Sequence, residues 1–218
     1  MNPKNRNRFI LANSLLGILL LILIVWFVTA PPSARKPPLL QSASLLPELR
    51  PLPPFALTDD QGRPFDNRRL LGHWTLLSFG YTQCPDICPT TLATLAEMKQ
   101  QLKPAPAHRP LEIGFVTIDP QRDDAQTLAD YVDYFDPAFI GIRGNPGDLV
   151  ALTRPLGILY RKVVTEGSAL KYVMDHSAVV ILLDPAGRYC ALFSPPHEVD
   201  KMASDIRAIL DSRYCEAD

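Results

Sequence analysis

The alternation of apolar and polar positions divides the chain into three stretches. Phe9 to Ala30 is an apolar run without a charged side chain. A run of that length crosses the roughly 30 Å hydrocarbon core as a helix, so one transmembrane span is expected over residues 9–30. A proline-punctuated stretch follows, with Pro31-Pro32, Pro37-Pro38 and Pro53-Pro54 among polar and aliphatic residues. It reads as a semi-extended spacer over residues 31–50. From residue 51 the pattern switches repeatedly between strand and helix periods.

Phe55 to Pro64 reads as a short strand, a Gly-Pro turn and a second edge strand, together an N-terminal hairpin. Trp74 to Phe79 has the composition of a buried strand, and Leu92, Leu95, Ala96 and Leu102 recur at helical spacing after it. That helix is expected from Pro89 to Leu102, stopping before Pro104 and Pro106. Leu111 to Ile118 is a further buried strand. Asp123 with Gln126 three residues on makes a capping-box start for a helix reaching Phe135. Phe139 to Ile142 and Pro146 to Pro155 read as an inserted short strand and helix. Leu159 to Val164 and Leu170 to Val173 flank Thr165-Glu166-Gly167-Ser168 as an inserted hairpin. Ser177 to Leu183 is apolar throughout, turns at Asp184-Pro185-Ala186-Gly187 and returns as Tyr189 to Phe193. A last amphipathic helix carries Val199, Met202, Ile206, Ile209 and Leu210.

The core order is β-α-β-α, an insertion, then β-β-α, which is the order of the thioredoxin fold. The expected class is therefore α/β: a central mixed sheet flanked by helices, with the two hairpins added and one transmembrane helix ahead of it. Functional residues of such sheets gather outside the carboxyl ends of the strands, here Gly80 to Pro89 and Asp119.

Composition narrows the setting. The chain has 218 residues, 47% of them hydrophobic, and a formal net charge of −1. That suffices for one ordinary core and shows no basic field for nucleic acid. Lys4, Arg6 and Arg8 precede the apolar span, against Arg35 and Lys36 after it. The positive-inside rule places residues 1–8 in the cytoplasm and the globular domain, residues 51–214, outside it. The rival reading is a signal peptide cleaved after Val28-Thr29-Ala30. The apolar run is too long for that, and Pro31 is a poor context for cleavage.

Two of the four cysteines, Cys84 and Cys88, lie between the first core strand and its helix. Pro89 suits the first helical position and would put Cys88 at or next to the N-cap. Helix-terminal N–H groups and the positive dipole end there favour a thiolate, hence a better nucleophile and metal ligand. In an oxidising compartment cysteines usually pair structurally, but a loop as short as Cys84 to Cys88 is a poor staple. This pair is expected to be redox-active or metal-binding. Cys190 and Cys215 read as buried thiols or a structural bridge.

In the thioredoxin fold the residue before the third core strand lies against the cysteine pair and is normally a cis-proline. Here those positions are Asp175-His176-Ser177. Two thiolates and an imidazole form a soft set that suits Cu(I) and also holds Cu(II), whereas zinc would need a fourth ligand. Cys84, Cys88 and His176 are the expected metal ligands. His73, His108 and His197 read as surface or packing residues, and Met174 as core filler. Asp86 and Asp119 stand near the cysteine loop as second-tier candidates for tuning it.

These residues resemble the Sco/SenC family of copper-binding assembly factors for cytochrome c oxidase. The resemblance rests on Gly80-Tyr81-Thr82 with Cys84-Pro85-Asp86-Ile87-Cys88-Pro89, on Thr117-Ile118-Asp119-Pro120 with Arg122-Asp123, and on Tyr172-Val173-Met174-Asp175-His176-Ser177. It implies a membrane-tethered thioredoxin-like domain that binds one copper through Cys84, Cys88 and His176. It also implies a role in metallating the dinuclear CuA centre of oxidase subunit II, with another copper chaperone as a conceivable donor. The short N-terminus lacks a long Arg- and Ser-rich presequence. This favours a bacterial inner membrane with the domain in the periplasm over the mitochondrial inner membrane facing the intermembrane space. The competing class is an enzyme: an anchored thiol–disulfide oxidoreductase that keeps the target cysteines reduced through Cys84 and Cys88, or a peroxidase of the same fold.

Overall fold

The computed structural model describes residues 17–22, 26, 37–102, 110–164 and 172–216. The chain divides into two units, residues 1–35 and 36–218. In the first, residues 17–22 are helical and expose Ile18, Leu19, Leu20, Leu21 and Ile22. Among the described residues no helix is long and apolar enough to cross a membrane. Most of the expected span over residues 9–30 lies outside them, as do Pro104, Pro106, His108 and the turn at residues 165–168.

The second unit begins with strands β1 (Ala43–Pro51), β2 (Ala56–Asp59) and β3 (Pro64–Asp66) and a 3-10 turn (Asn67–Leu70). Then come β4 (Trp74–Gly80), α1 (Ile87–Gln101), β5 (Leu111–Thr117), α2 (Ala125–Asp133), β6 (Phe139–Arg143) and α3 (Pro146–Thr153). The chain continues through β7 (Tyr160–Val164), β8 (Tyr172–His176), β9 (Val180–Leu183), β10 (Arg188–Phe193) and α4 (Val199–Ser212). One mixed sheet runs β1-β10-β9-β4-β5-β6-β2-β3, while β7 and β8 pair as a separate ribbon. Within the sheet β4, β5 and β6 are parallel neighbours, and the remaining pairs are antiparallel.

All seven residues of β4 are buried, as expected of a central strand covered on both faces. Its Leu76 and Leu77 pack with Ile113, Phe115 and the fully buried Val180, Ile181, Leu182 and Leu183. Phe115 of β5 contacts Tyr131 of α2, with ring centroids 5.4 Å apart. It also lines a small cavity with Cys88 of α1. Thus α1 and α2 cover the same face of the sheet, as two successive right-handed crossovers stepping in one direction require. Cys190 of β10 is disulfide-bonded to Cys215 beyond α4, and both are fully buried.

Four expectations are corrected. Residues 43–50, read as spacer, belong to β1, which pairs antiparallel with β10. Proline is tolerated there because β1 is an edge strand and its register with β10 shifts between Leu45 and Arg50. The buried Asp205 of α4 holds the start of β1, accepting from the N–H groups of Gln41, Ser42 and Ala43 at 2.8, 2.7 and 2.8 Å. Helix α1 starts at Ile87 with Asp86 as N-cap, so Pro89 is its third residue and Cys88 lies inside the first turn. Helix α2 is capped by Asp124, whose carboxylate accepts from the Thr127 N–H at 2.8 Å, and not by Asp123. Finally, β6 is no appendage: it lies between β5 and β2 as a full member of the sheet.

Candidate metal centre

Three elements deliver the three expected ligands. Cys84 sits in the loop after β4, Cys88 in the first turn of α1, and His176 at the end of β8. The two Sγ atoms and an imidazole nitrogen all lie within 4.8 Å of one another. Cys88 is 3% exposed, whereas Cys84 and His176 are partly open to solvent. The set is therefore half-buried, with Cys84 and His176 on its accessible side.

His176 has its tautomer set by its neighbour. Nδ1 lies 3.1 Å from the Ser177 carbonyl oxygen. A carbonyl only accepts, so Nδ1 carries the proton and donates it. Nε2 is then the lone-pair nitrogen, and it lies 3.5 Å from Cys88 Sγ. A backbone carbonyl that holds the second ring nitrogen is the usual partner of a metal-ligating histidine. Tyr81 packs edge-on against the ring with centroids 6.1 Å apart, limiting its rotation.

The two thiols are unequal. Hydrogen bonding from Cys88 lowers the pKa of Cys84 to about 4, opposed by burial and helped by His176 and the N–H groups of Asp86 and Cys88. The same sulfur–sulfur contact, together with burial, pushes Cys88 up. In the reduced protein Cys84 is the thiolate and Cys88 keeps the shared proton. Such a set offers a metal one preformed thiolate and releases one proton when the second sulfur binds.

A residue with no side chain makes room for this arrangement. A Cβ placed on Gly80 would lie 2.5 Å from Cys88 Sγ and 2.9 Å from the Phe115 ring. The sulfur thus occupies the space that any other residue at position 80 would fill. Behind the loop, the fully buried Asp123 accepts from the Thr82 N–H at 3.0 Å and from the Thr82 and Thr117 hydroxyls at 2.6 and 2.5 Å. Freed from capping α2, it anchors the cysteine loop to β5.

Pattern alone assigns Gly80, Arg122 and Tyr172 no role and Asp123 only that of a helix cap, although all stand in the motifs quoted above. Asp119, a second-tier candidate, is buried and ion-paired to Arg122. Asp86 serves as the backbone N-cap of α1 without a side-chain bond. Met174 packs against the core. His73 pairs with Glu112 at 3.1 Å, and His197 Nε2 donates to the Ala178 carbonyl at 2.9 Å. Neither histidine joins the cluster.

The SCO1/SenC family model matches residues 47–211. The chain belongs to the SCO1/SenC family. A protein of Stutzerimonas stutzeri whose name attributes copper binding to it is 37% identical over 169 residues, which are 77% of this chain and 81% of that protein. The mitochondrial SCO1 homolog 1 of Arabidopsis thaliana is 34% identical over 153 residues, 70% of this chain, which spans less than half (45%) of that protein. The crystal structure of Arabidopsis thaliana ScoI with copper bound superposes with a TM-score of 0.65 at 34% identity. The match covers 71% of this chain and 97% of that one. The SCO1/SenC match takes in Cys84, Cys88 and His176 and most of the sheet, β1 included from residue 47.

Proposed function

We propose that this protein is a membrane-anchored copper chaperone. It carries one copper ion on Cys84, Cys88 and His176 and helps metallate the dinuclear copper centre of cytochrome c oxidase subunit II. The observation that carries the reading is the convergence of two sulfurs and a ring nitrogen of an oriented histidine within 4.8 Å. Soft thiolates select Cu(I), and the imidazole extends the set to Cu(II). A half-exposed site suits cargo that must be handed on, since a partner's ligands can approach from the side of Cys84 and His176. A relative named for copper binding and a similar crystal structure with copper bound support the metal assignment. The apolar residues 9–30, whose described part exposes leucines and isoleucines at residues 18–22, support the anchor. With the basic residues 4, 6 and 8 inside, the domain faces the periplasm of a bacterium.

A second reading has its own support. Cys84 is a thiolate backed by a thiol donor, the arrangement that starts thiol–disulfide exchange. On that reading the domain reduces the cysteines of subunit II without carrying metal. Competition titration of the reduced domain against a Cu(I) chelator separates the two. The carrier reading expects one copper per chain, lost in Cys84→Ala and Cys88→Ala. Full affinity in either variant overturns it.

A further inference from the structure

His176 reaches the two cysteines from a ribbon that is not part of the main sheet. Strands β7 and β8 pair only with each other among the described residues. Among the described residues no ladder of backbone hydrogen bonds joins that ribbon to the cysteine loop, so beyond the chain connection from His176 into β9 their spacing depends on side chains. Besides Tyr81, whose ring meets that of His176, Arg122 spans the gap. Arg122, in the loop between β5 and α2, donates from Nε to Asp119. Its Nη1 donates to the side-chain carbonyl of Gln83 at 3.2 Å, one residue before Cys84. The same nitrogen donates to the backbone carbonyl of Tyr172 at 3.1 Å, at the start of the strand that ends in His176.

The tie is reinforced through the Tyr172 ring. The Arg122 guanidinium lies 3.7 Å from its centroid and Lys162 Nζ lies 3.6 Å from it. Two cations that close to one centroid occupy opposite faces, so the ring is sandwiched. Its hydroxyl donates to the second oxygen of Asp119 at 3.0 Å. Asp119 is 4% exposed and takes both bonds. Arg122 therefore touches the cysteine loop, the histidine strand and the β5–α2 loop at once. A planar, permanently charged fork does this and a lysine cannot.

We propose that Arg122 is a positioning residue of the metal centre: through Gln83 and Tyr172 it holds the His176 ribbon against the cysteine loop. The inference rests on the ligand set of the proposed function and extends it. Removing the fork leaves both thiols in place and lets the ribbon drift, so the nitrogen ligand is lost before the sulfurs are. Outer partners of this kind typically change metal affinity by about 10–100-fold.

The test uses Cu(II) loaded on wild type, His176→Ala, Arg122→Ala, Arg122→Lys and Tyr172→Leu, read by nitrogen hyperfine coupling in electron paramagnetic resonance. A second readout is the nuclear Overhauser contact between the His176 and Tyr81 rings in the reduced, metal-free proteins. Arg122→Ala should lose the ring contact and bring the copper spectrum towards that of His176→Ala. Arg122→Lys should not restore either signal. Tyr172→Leu, which removes the stacked ring and leaves the guanidinium, should move both signals in the same direction by less. It decides the matter even if Arg122→Ala fails to fold. Wild-type signals in Arg122→Ala and Tyr172→Leu overturn the proposal, and so does full rescue by lysine. If wild type itself shows no nitrogen ligand, the ligand set is wrong. The metal-free ring contact still decides whether Arg122 sets the position of His176.

Discussion

Cys190 and Cys215 are bonded and fully buried, whereas Cys84 and Cys88 are free thiols on a half-open rim. The first pair closes a separation of 25 residues with Cα atoms 5.8 Å apart. It fastens the segment after α4 to β10, and Arg188 seals the junction by donating to the Cys215 carbonyl at 2.8 Å. The second pair joins the loop after β4 to the first turn of α1, and that loop is held by hydrogen bonds to Thr82 and Gln83. One sulfur chemistry thus serves two ends of the domain, separated by access and by what surrounds each pair. A disulfide also fits a domain that folds in an oxidising compartment. There the free pair stays useful only if its thiols are kept reduced or metal-bound.

The largest effect expected from this contrast is on stability. Replacing both Cys190 and Cys215 by Ala should cost about 3.5 kcal/mol by the loop-closure model. The stoichiometry of one copper per chain should be unchanged. Denaturant unfolding of the oxidised protein, with copper titration at low denaturant, checks both parts. A loss of copper binding in the folded variant would show that the two pairs are not independent.

The next effect is local. Gly80→Ala puts a methyl group where Cys88 Sγ and the Phe115 ring already meet. Overpacking of this kind typically costs about 1–3 kcal/mol. The sulfur must also rotate away from His176, so copper affinity should fall while the Cys190–Cys215 bridge stays intact. Unchanged affinity in a chelator competition would mean that the methyl group is absorbed by Phe115 alone.

The smallest effect is one of reactivity. Because hydrogen bonding from Cys88 is the main cause that lowers the pKa of Cys84 to about 4, the reduced domain should alkylate at Cys84 at a nearly constant rate from pH 6 to 8. An ordinary thiol, with a pKa of about 8.5, gains reactivity steeply over that range. Cys88→Ala removes that cause and should shift the profile upward in pH. An unchanged profile would assign the activation to the helix end instead.

Much of this domain was legible in its sequence because period and punctuation were unambiguous. The buried run of β4, the helix after Cys88 and the turn at Asp184 follow from local pattern. So does the convergence of Cys84, Cys88 and His176, since the thioredoxin order puts the residues leading into the strand beside β4 next to the start of α1. What stayed hidden depended on partners distant in sequence. The edge strand β1 carries Pro47 and Pro51, and its pairing rests on Asp205 more than 160 residues away. Asp123 and Asp124 are adjacent and chemically alike, so only the fold shows which caps α2 and which anchors Thr82. The need for glycine at position 80 is a matter of volume beside Cys88, invisible in a strand pattern. Cys190 and Cys215 likewise offered no spacing that distinguished thiols from a bridge.

Copper content of the assembled oxidase in cells carrying His176→Ala, measured beside cells carrying Cys84→Ala, tests the account most directly. His176→Ala keeps both thiols and the helix end, so disulfide exchange by the purified domain should remain near normal. The carrier account predicts that the oxidase nonetheless lacks copper in its dinuclear centre in both strains. Normal oxidase copper with His176→Ala and a deficiency with Cys84→Ala would contradict it and leave thiol reduction as the function.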